Sequence, residues 1–296
     1  MDSNFQDGYK QSYTLRPIWK AEQEILDIFV KLCEKHSFRY YLSDGTALGA
    51  ARHKGFIPWD DDLDVSMPRE DYDQFVKIAA KELPEHLKFV NWENTPEFPL
   101  LFGKIQDARR TVVESIEKEC GLFLSGGIYM DIFPIDGYPK SKAEKFFVKL
   151  FVIPLSCIVR FRCARFHQQT GKGKVGWIMG AMLNFLLPWV SGRDCMRECE
   201  KLLRRHAFET SSFTGRASLT LTLLNRPPMP RCYWGEGTPL YFEQSMYKVP
   251  SDYDAFLRFY YGDYMELPPE GKRCSTHKYS WRCPWWLGPT LDKLSS

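Results

Sequence analysis

Trp59-Asp60-Asp61-Asp62-Leu63-Asp64-Val65 is the stretch on which the reading of this chain turns. In an extended strand, alternate side chains share a face. Residues 60–67 are therefore predicted to form a strand with Asp60, Asp62 and Asp64 along one side, and with Leu63 and Val65 turned into the core. Carboxylates at this spacing repel one another strongly unless a cation lies between them. Hard oxygen ligands of this kind suit Mg²⁺ or Mn²⁺. Acidic runs are commonly solvated turns. This one is embedded among Phe56, Ile57, Trp59 and Met67, flanks that a solvated loop would not need, and the metal reading is preferred.

Two further features point the same way. Asp131 lies inside the apolar run Ile128-Tyr129-Met130-Asp131-Ile132-Phe133-Pro134-Ile135. A carboxylate buried in such a strand requires a partner or a metal, and from a neighbouring strand it would complete the site. Upstream, Asp44-Gly45-Thr46 is a glycine turn opening a short helix, and its free amides suit a phosphate. A phosphate cradle facing a metal is what phosphoryl or nucleotidyl transfer requires, since catalysis there is mainly positioning and charge neutralisation. The chain has no Walker A loop and no kinase glycine-rich signature.

Outward from this centre, residues 18–36 and 69–82 carry apolar side chains at helical spacing, the second with Tyr72, Phe75, Val76 and Ala79 on one face. Strands are expected near 38–43, 101–106, 111–115, 128–135, 219–224 and 241–249, and a helix over 253–261. This mixture predicts an α/β or α+β core. The section from 141 to 206 differs. It holds two apolar runs, 146–159 and 177–190, each shorter than the roughly 20 residues a bilayer span needs. The plainer reading is a pair of core helices. The sharper one lays a helical hairpin on a membrane surface, with Arg160, Arg162, Arg165, Lys172 and Lys174 at the headgroups.

Composition sets outer bounds. Of 296 residues, 44% are hydrophobic, which supports a sizeable core and excludes disorder. A net charge of +3 is too weak for a nucleic-acid binder. Nine irregularly spaced cysteines with no Cys-x-x-Cys pair read as reduced thiols, and Cys195 and Cys199, one helical turn apart, lack a second ligand pair for zinc. The polar start of the chain carries no signal-peptide pattern. The expected location is cytoplasmic, with peripheral contact at the inner face of the membrane.

At Tyr41-Leu42-Ser43-Asp44-Gly45-Thr46, continuing through Arg52-His53-Lys54-Gly55-Phe56-Ile57-Pro58-Trp59 into the acidic run, the sequence resembles the LicD family, which is similar to fukutin and its relatives. Tyr129 to Asp136 and the segments around Val249-Pro250 and Tyr261-Gly262-Asp263-Tyr264 extend the likeness. The resemblance implies an α+β, nucleotidyltransferase-like mixed sheet flanked by helices. It places one such domain over residues 1–296, with a largely helical insertion at about 141–210. It further implies transfer of a phospho-alcohol, phosphocholine first, from a CDP-linked donor to a hydroxyl of a cell-surface glycan or its lipid-linked precursor. Carried over by position, Asp60, Asp62, Asp64 and Asp131 match the family's metal-binding carboxylates, with Asp62, Asp64 and Asp131 as the catalytic set. Gly45 and Thr46 match its glycine turn. Arg52, His53 and Lys54 are cationic candidates for the donor pyrophosphate, with Lys104, Arg109 and His277 behind them.

Two other functions compete. Asp62-x-Asp64 also fits the metal motif of a nucleotide-sugar glycosyltransferase, against which the Gly45-Thr46 turn and Asp131 argue. A non-catalytic glycan- or nucleotide-binding relative would have had no reason to keep every motif carboxylate.

Overall fold

The structure is a computed structural model that describes residues 3–95, 98, 100–109, 112–114, 127–139, 141–162, 174–216, 227–273 and 279–281. Its centre is β6 (Ile128–Gly137), a ten-residue strand buried along its whole length. β2 (Asp64–Pro68) pairs with it in parallel, and β4 (Gly103–Asp107) antiparallel on the other edge. β1 (Tyr41–Leu42) lies outside β2, and β3 (Leu87–Val90) outside β4, giving the order β1-β2-β6-β4-β3. β7 (Phe213–Arg216) joins β6 at its end, and β8 (Met229–Pro230) pairs with β7. The class is α+β, a mixed sheet flanked by helices, as the sequence predicts.

Pro134 sits in this central strand without breaking it. The Asp131 amide points at β2, donating to the Leu63 carbonyl at 2.9 Å. Alternate residues point alternately, so the amide that Pro134 lacks would have faced the opposite edge. On that edge the pairing with β4 stops at Ile132 and the pairing with β7 starts at Ile135. Proline falls in the gap, where no ladder bond is lost.

The flanking helices follow their periodicities. α1 (Ser3–His36) buries Ile18, Ala21, Ile25, Leu26, Phe29 and Cys33 and packs on β6 and β4. It begins earlier than the helix predicted over 18–36. α2 (Asp44–Arg52) follows β1, and α3 (Arg69–Glu82) follows β2, burying Tyr72, Phe75 and Ala79. Where one strand is predicted over 241–249, a hairpin forms from β9 (Thr238–Phe242) and β10 (Ser245–Val249). β5 (Val112–Glu114) pairs with β11 (Tyr279–Trp281). The strand expected at 219–224 lies outside the described residues.

Between β6 and β7 stand α4 (Lys142–Arg162), α5 (Lys174–Leu186) and α6 (Gly192–Leu203). They share a core of their own, with Val152, Ile158 and Val159 against Cys195, Met196 and Cys199. Both cysteines are free thiols within that apolar cluster. The segment enters and leaves the sheet at one place. Gly137 donates to the His206 carbonyl at 2.9 Å, and Tyr138 to that of Phe213 at 2.8 Å. A buried ion cluster ties it to the sheet: Arg69, first residue of α3, bonds Asp136 through Nε at 2.8 Å and Nη2 at 2.7 Å, and Glu200 of α6 through Nη1 at 3.0 Å. α7 (Tyr253–Tyr261) has the predicted bounds, with the Asp252 carboxylate accepting from the Ala255 amide at 3.1 Å as its N-cap.

Candidate active site

The glycine turn and the acidic segment meet at the start of α2. Asp44 takes a left-handed conformation, φ +47°, and its two carboxylate oxygens both accept from the Arg216 guanidinium of β7, one of them at 2.8 Å. Arg216 is buried and lies 4.8 Å from the centre of the Phe133 ring. Gly45 follows. A Cβ there would stand 2.4 Å from Asp60 Oδ2, so the close approach of the Asp60 carboxylate to this turn requires glycine. Thr46 Oγ1 accepts a bond from the Asp64 backbone amide at 2.8 Å, locking α2 to the start of β2. Ser43, at the N-cap position, makes no cap bond to α2. Its hydroxyl instead accepts from Ser66 at 2.9 Å. The first-turn amides of α2 are thus not occupied by the N-cap side chain, and the Asp60 carboxylate stands beside them at Gly45.

The acidic segment departs from the strand reading. β2 begins only at Asp64, and residues 60–63 form an irregular lead-in held from outside. The Trp19 indole N–H of α1 donates to the Asp60 carbonyl at 2.8 Å, and Trp19 stacks on Phe56 with ring centres 5.3 Å apart. Burial still alternates along it, with Asp61, Leu63 and Val65 buried and Asp60, Asp62 and Asp64 half-buried. The carboxylates gathered most tightly are Asp60, Asp61 and Asp62, each offering an oxygen within 4.8 Å of the others. Asp61, on the face that alternation turns toward the core with Leu63 and Val65, is 1% exposed. Carboxylate oxygens are the ligands Mg²⁺ and Mn²⁺ prefer, and adjacent oxygens on an octahedral ion stand about 2.9 Å apart, so these side chains would draw together around one. The donor set therefore fits a hard divalent cation.

Asp64 and Asp131 are register partners on β2 and β6, and Lys104 is the register partner of Asp131 on β4. The three form a row across the sheet. Lys104 Nζ lies 2.8 Å from Asp131 Oδ1 and 3.4 Å from the centre of the Tyr129 ring. Burial, then the charges of Asp62, Asp44 and Asp131, push the Asp64 carboxyl well above the ordinary carboxylate range, while Arg216 draws it part of the way back. A divalent ion would reverse that bias by supplying positive charge.

The other predicted residues are spread more widely. Arg52 Nη1 donates to the carbonyls of Tyr264 at 2.7 Å and Glu266 at 3.3 Å, fastening the loop after α7. His53 stands edge-on to Trp59. Burial, then the adjacent Arg52, push its imidazole down to about 4, so it is neutral at pH 7 and offers a hydrogen bond, not a charge. Lys54 is exposed and donates to the Ala51 carbonyl at 3.3 Å. Arg109 is bound to Asp107 at the far end of β4. His277 lies outside the described residues. Sequence reasoning missed Asp61, Arg216, Glu22 and Arg273, whose guanidinium lies 5.9 Å from the Trp59 ring centre. Glu22 alone carried a signal, as an acid within the apolar stripe of Ile18, Ala21, Ile25 and Leu26.

This arrangement can hold a cation against a phosphate-binding turn. A family description, "LicD/FKTN/FKRP, nucleotidyltransferase domain", matches residues 37–116, the segment bearing the turn, the aspartates and Lys104. The chain belongs to the LicD family, and it is an enzyme of the phosphotransferase class. It is 30% identical over 258 residues to the lipopolysaccharide cholinephosphotransferase LicD of Haemophilus influenzae, a match covering 87% of this chain and 93% of that protein. The human ribitol 5-phosphate transferase FKRP is 34% identical over 92 residues, 30% of this chain and 18% of that protein. An uncharacterised Rickettsia typhi protein is 38% identical over 72 residues, 24% of this chain and 21% of its own length.

Proposed function

We propose that the enzyme transfers a phospho-alcohol, phosphocholine first, from a CDP-linked donor to a hydroxyl of a cell-surface glycan or its lipid-linked precursor. The observation that carries this reading is the meeting of the Gly45-Thr46 turn with Asp60, Asp61, Asp62, Asp64 and Asp131 in one site, in a chain related over most of its length to a cholinephosphotransferase.

Asp60, Asp61, Asp62, Asp64 and Asp131 would hold Mg²⁺ or Mn²⁺, which would supply positive charge to offset charge as it develops on the phosphates. The uncapped first turn of α2 would receive a phosphate oxygen. Asp62 or Asp131 would take the proton from the acceptor hydroxyl. The acceptor oxygen then bonds to the phosphorus carrying the alcohol, the bond from that phosphorus to the bridging oxygen breaks, and CMP departs with the electron pair. Lys104 holds Asp131 in place through its ion pair. Arg273, beside Trp59, would add positive charge on the donor side.

Incubation with a divalent ion and CDP-choline, CDP-ribitol or CDP-glycerol, with CMP release followed with and without acceptor, tests this reading. CMP from any of them supports it. Consumption of UDP- or GDP-sugars, with UDP or GDP as product, would replace it with a glycosyltransferase.

The lipid-linked form of the acceptor draws on α4 and α5. Their inner faces form a core, but their outer faces expose Phe146, Phe147, Phe151, Met182 and Phe185, with Trp189 just beyond, the last two 84% and 75% exposed. Between Gly137 and Arg193, Glu144 is the single acid against nine lysines and arginines. Apolar side chains on a basic segment suit an anionic membrane surface. No helix among the described residues is long and apolar enough to cross a membrane.

A further inference from the structure

Glu22 sits in α1 one turn after Trp19, the residue whose indole holds the Asp60 carbonyl. Its neighbours on the helix are core positions: Ile18, Ala21, Ile25 and Leu26 are each 3% exposed or less, and Glu22 itself is 2% exposed. A glutamate at such a position is costly unless something compensates it. Its Oε2 has no hydrogen-bond partner among the described residues. Besides its burial, the side chain feels the charges of Asp62, Asp61, Asp60 and Asp131. All four repel it. A buried oxygen without a partner among the described residues thus sits one turn along α1 from the residue that holds Asp60, in the field of three carboxylates whose oxygens lie within 4.8 Å of one another.

We propose that Glu22 is a fourth protein carboxylate of the cation site formed by Asp60, Asp61 and Asp62. The proposal deepens the phosphotransferase reading and rests on its metal site. A divalent ion satisfies the Glu22 oxygen and relieves the repulsion at once, which no arrangement of the five acids alone does. It also gives α1 a part in the chemistry. Trp19 fixes the backbone of the acidic segment from one turn of the helix, and Glu22 supplies a ligand from the next.

Mn²⁺ titration of the full chain, read by electron paramagnetic resonance and by the cation-induced rise in Tm, tests this without reference to turnover. Glu22→Gln keeps the shape and removes the charge. It should bind Mn²⁺ at least ten-fold more weakly than wild type, a loss of the size seen when residues supporting a metal site are removed. Its Tm without cation should equal or exceed that of the wild type, because a repelled buried acid is gone. Glu22→Asp, shorter by one methylene, should fall between the two and serves if Glu22→Gln fails to fold. Asp62→Asn separates the two levels of the reading. If Asp62→Asn loses Mn²⁺ while Glu22→Gln binds it as wild type does, the inference about Glu22 is overturned and the metal site stands. If the wild type takes up no Mn²⁺, both are overturned.

Discussion

Replacing Arg69 with methionine should loosen the grip of the helical segment on the sheet. Arg69 is 6% exposed, and its guanidinium serves two buried carboxylates, Asp136 at the end of β6 and Glu200 on α6. Breaking a buried ion pair by removing one partner costs about 3–5 kcal/mol, because the other charge is left uncompensated. Here two acids are orphaned, but Glu200 keeps Arg204 Nη1 at 3.7 Å. The loss should therefore fall near the lower end, about 3 kcal/mol at pH 7.5. It should also depend on pH. Burial already holds Asp136 and Glu200 above the ordinary carboxylate range with Arg69 present, and its removal raises them further. An acid whose folded pKa is raised favours the folded state at low pH, and that benefit is lost as pH rises through the folded pKa. The deficit of Arg69→Met should thus shrink at pH 5. Urea unfolding followed by tryptophan fluorescence at the two pH values measures both quantities. Adding Asp136→Asn and Glu200→Gln should restore most of the loss. A deficit below about 1 kcal/mol at pH 7.5, or one that is the same at pH 5, would refute the reasoning.

Asp62→Ala and Asp64→Ala should each abolish metal-dependent turnover while the far-UV spectrum is kept, and Asp64→Ala should raise the cation-free Tm; near-wild-type rates at saturating Mg²⁺ would remove these residues from the metal site. Gly45→Ala should cost little stability, since its Cβ meets only the movable end of Asp60, yet turnover should fall at least about ten-fold because the carboxylate is displaced; an unchanged kcat would count against the close contact. Flotation with anionic vesicles should carry the protein upward at low salt, each basic residue near the surface contributing about 1 kcal/mol, and Phe185→Glu with Trp189→Glu should weaken it; absence of binding at both low and high salt would exclude the membrane contact.

The elements legible in the sequence are those whose pattern is local. α3 and α7 follow from helical spacing, α7 with its Asp252 cap, and β6 from an apolar run. The acidic segment reads as a strand from Asp60, whereas strand pairing begins only at Asp64 and the Asp60 backbone is held from a distance by Trp19 of α1. Alternation then selected Asp60, Asp62 and Asp64, where the fold gathers Asp60, Asp61 and Asp62. Asp131 and Lys104 could be suspected singly, but their alignment with Asp64 depends on the pairing of three strands. Arg216 carried no local signal, since its partner Asp44 is 172 residues away in the chain. The apolar runs of α4 and α5 were visible, but which side of each faces its neighbours is a property of packing.

The way the segment between β6 and β7 is closed at its base has a consequence for how such enzymes diversify. Its two ends are stitched together by the bonds from Gly137 and Tyr138 to His206 and Phe213, so the chain departs and returns at nearly the same point. A module anchored by a narrow stem can be lengthened, shortened or exchanged with little mechanical effect on the strands that carry the aspartates. Natural variation could then graft different acceptor-reading or surface-binding units onto one unchanged catalytic frame, with Arg69 as the joint each new graft must accommodate. A chimera carrying a relative's segment between residues 138 and 213 would retain the frame and change the surface it works on.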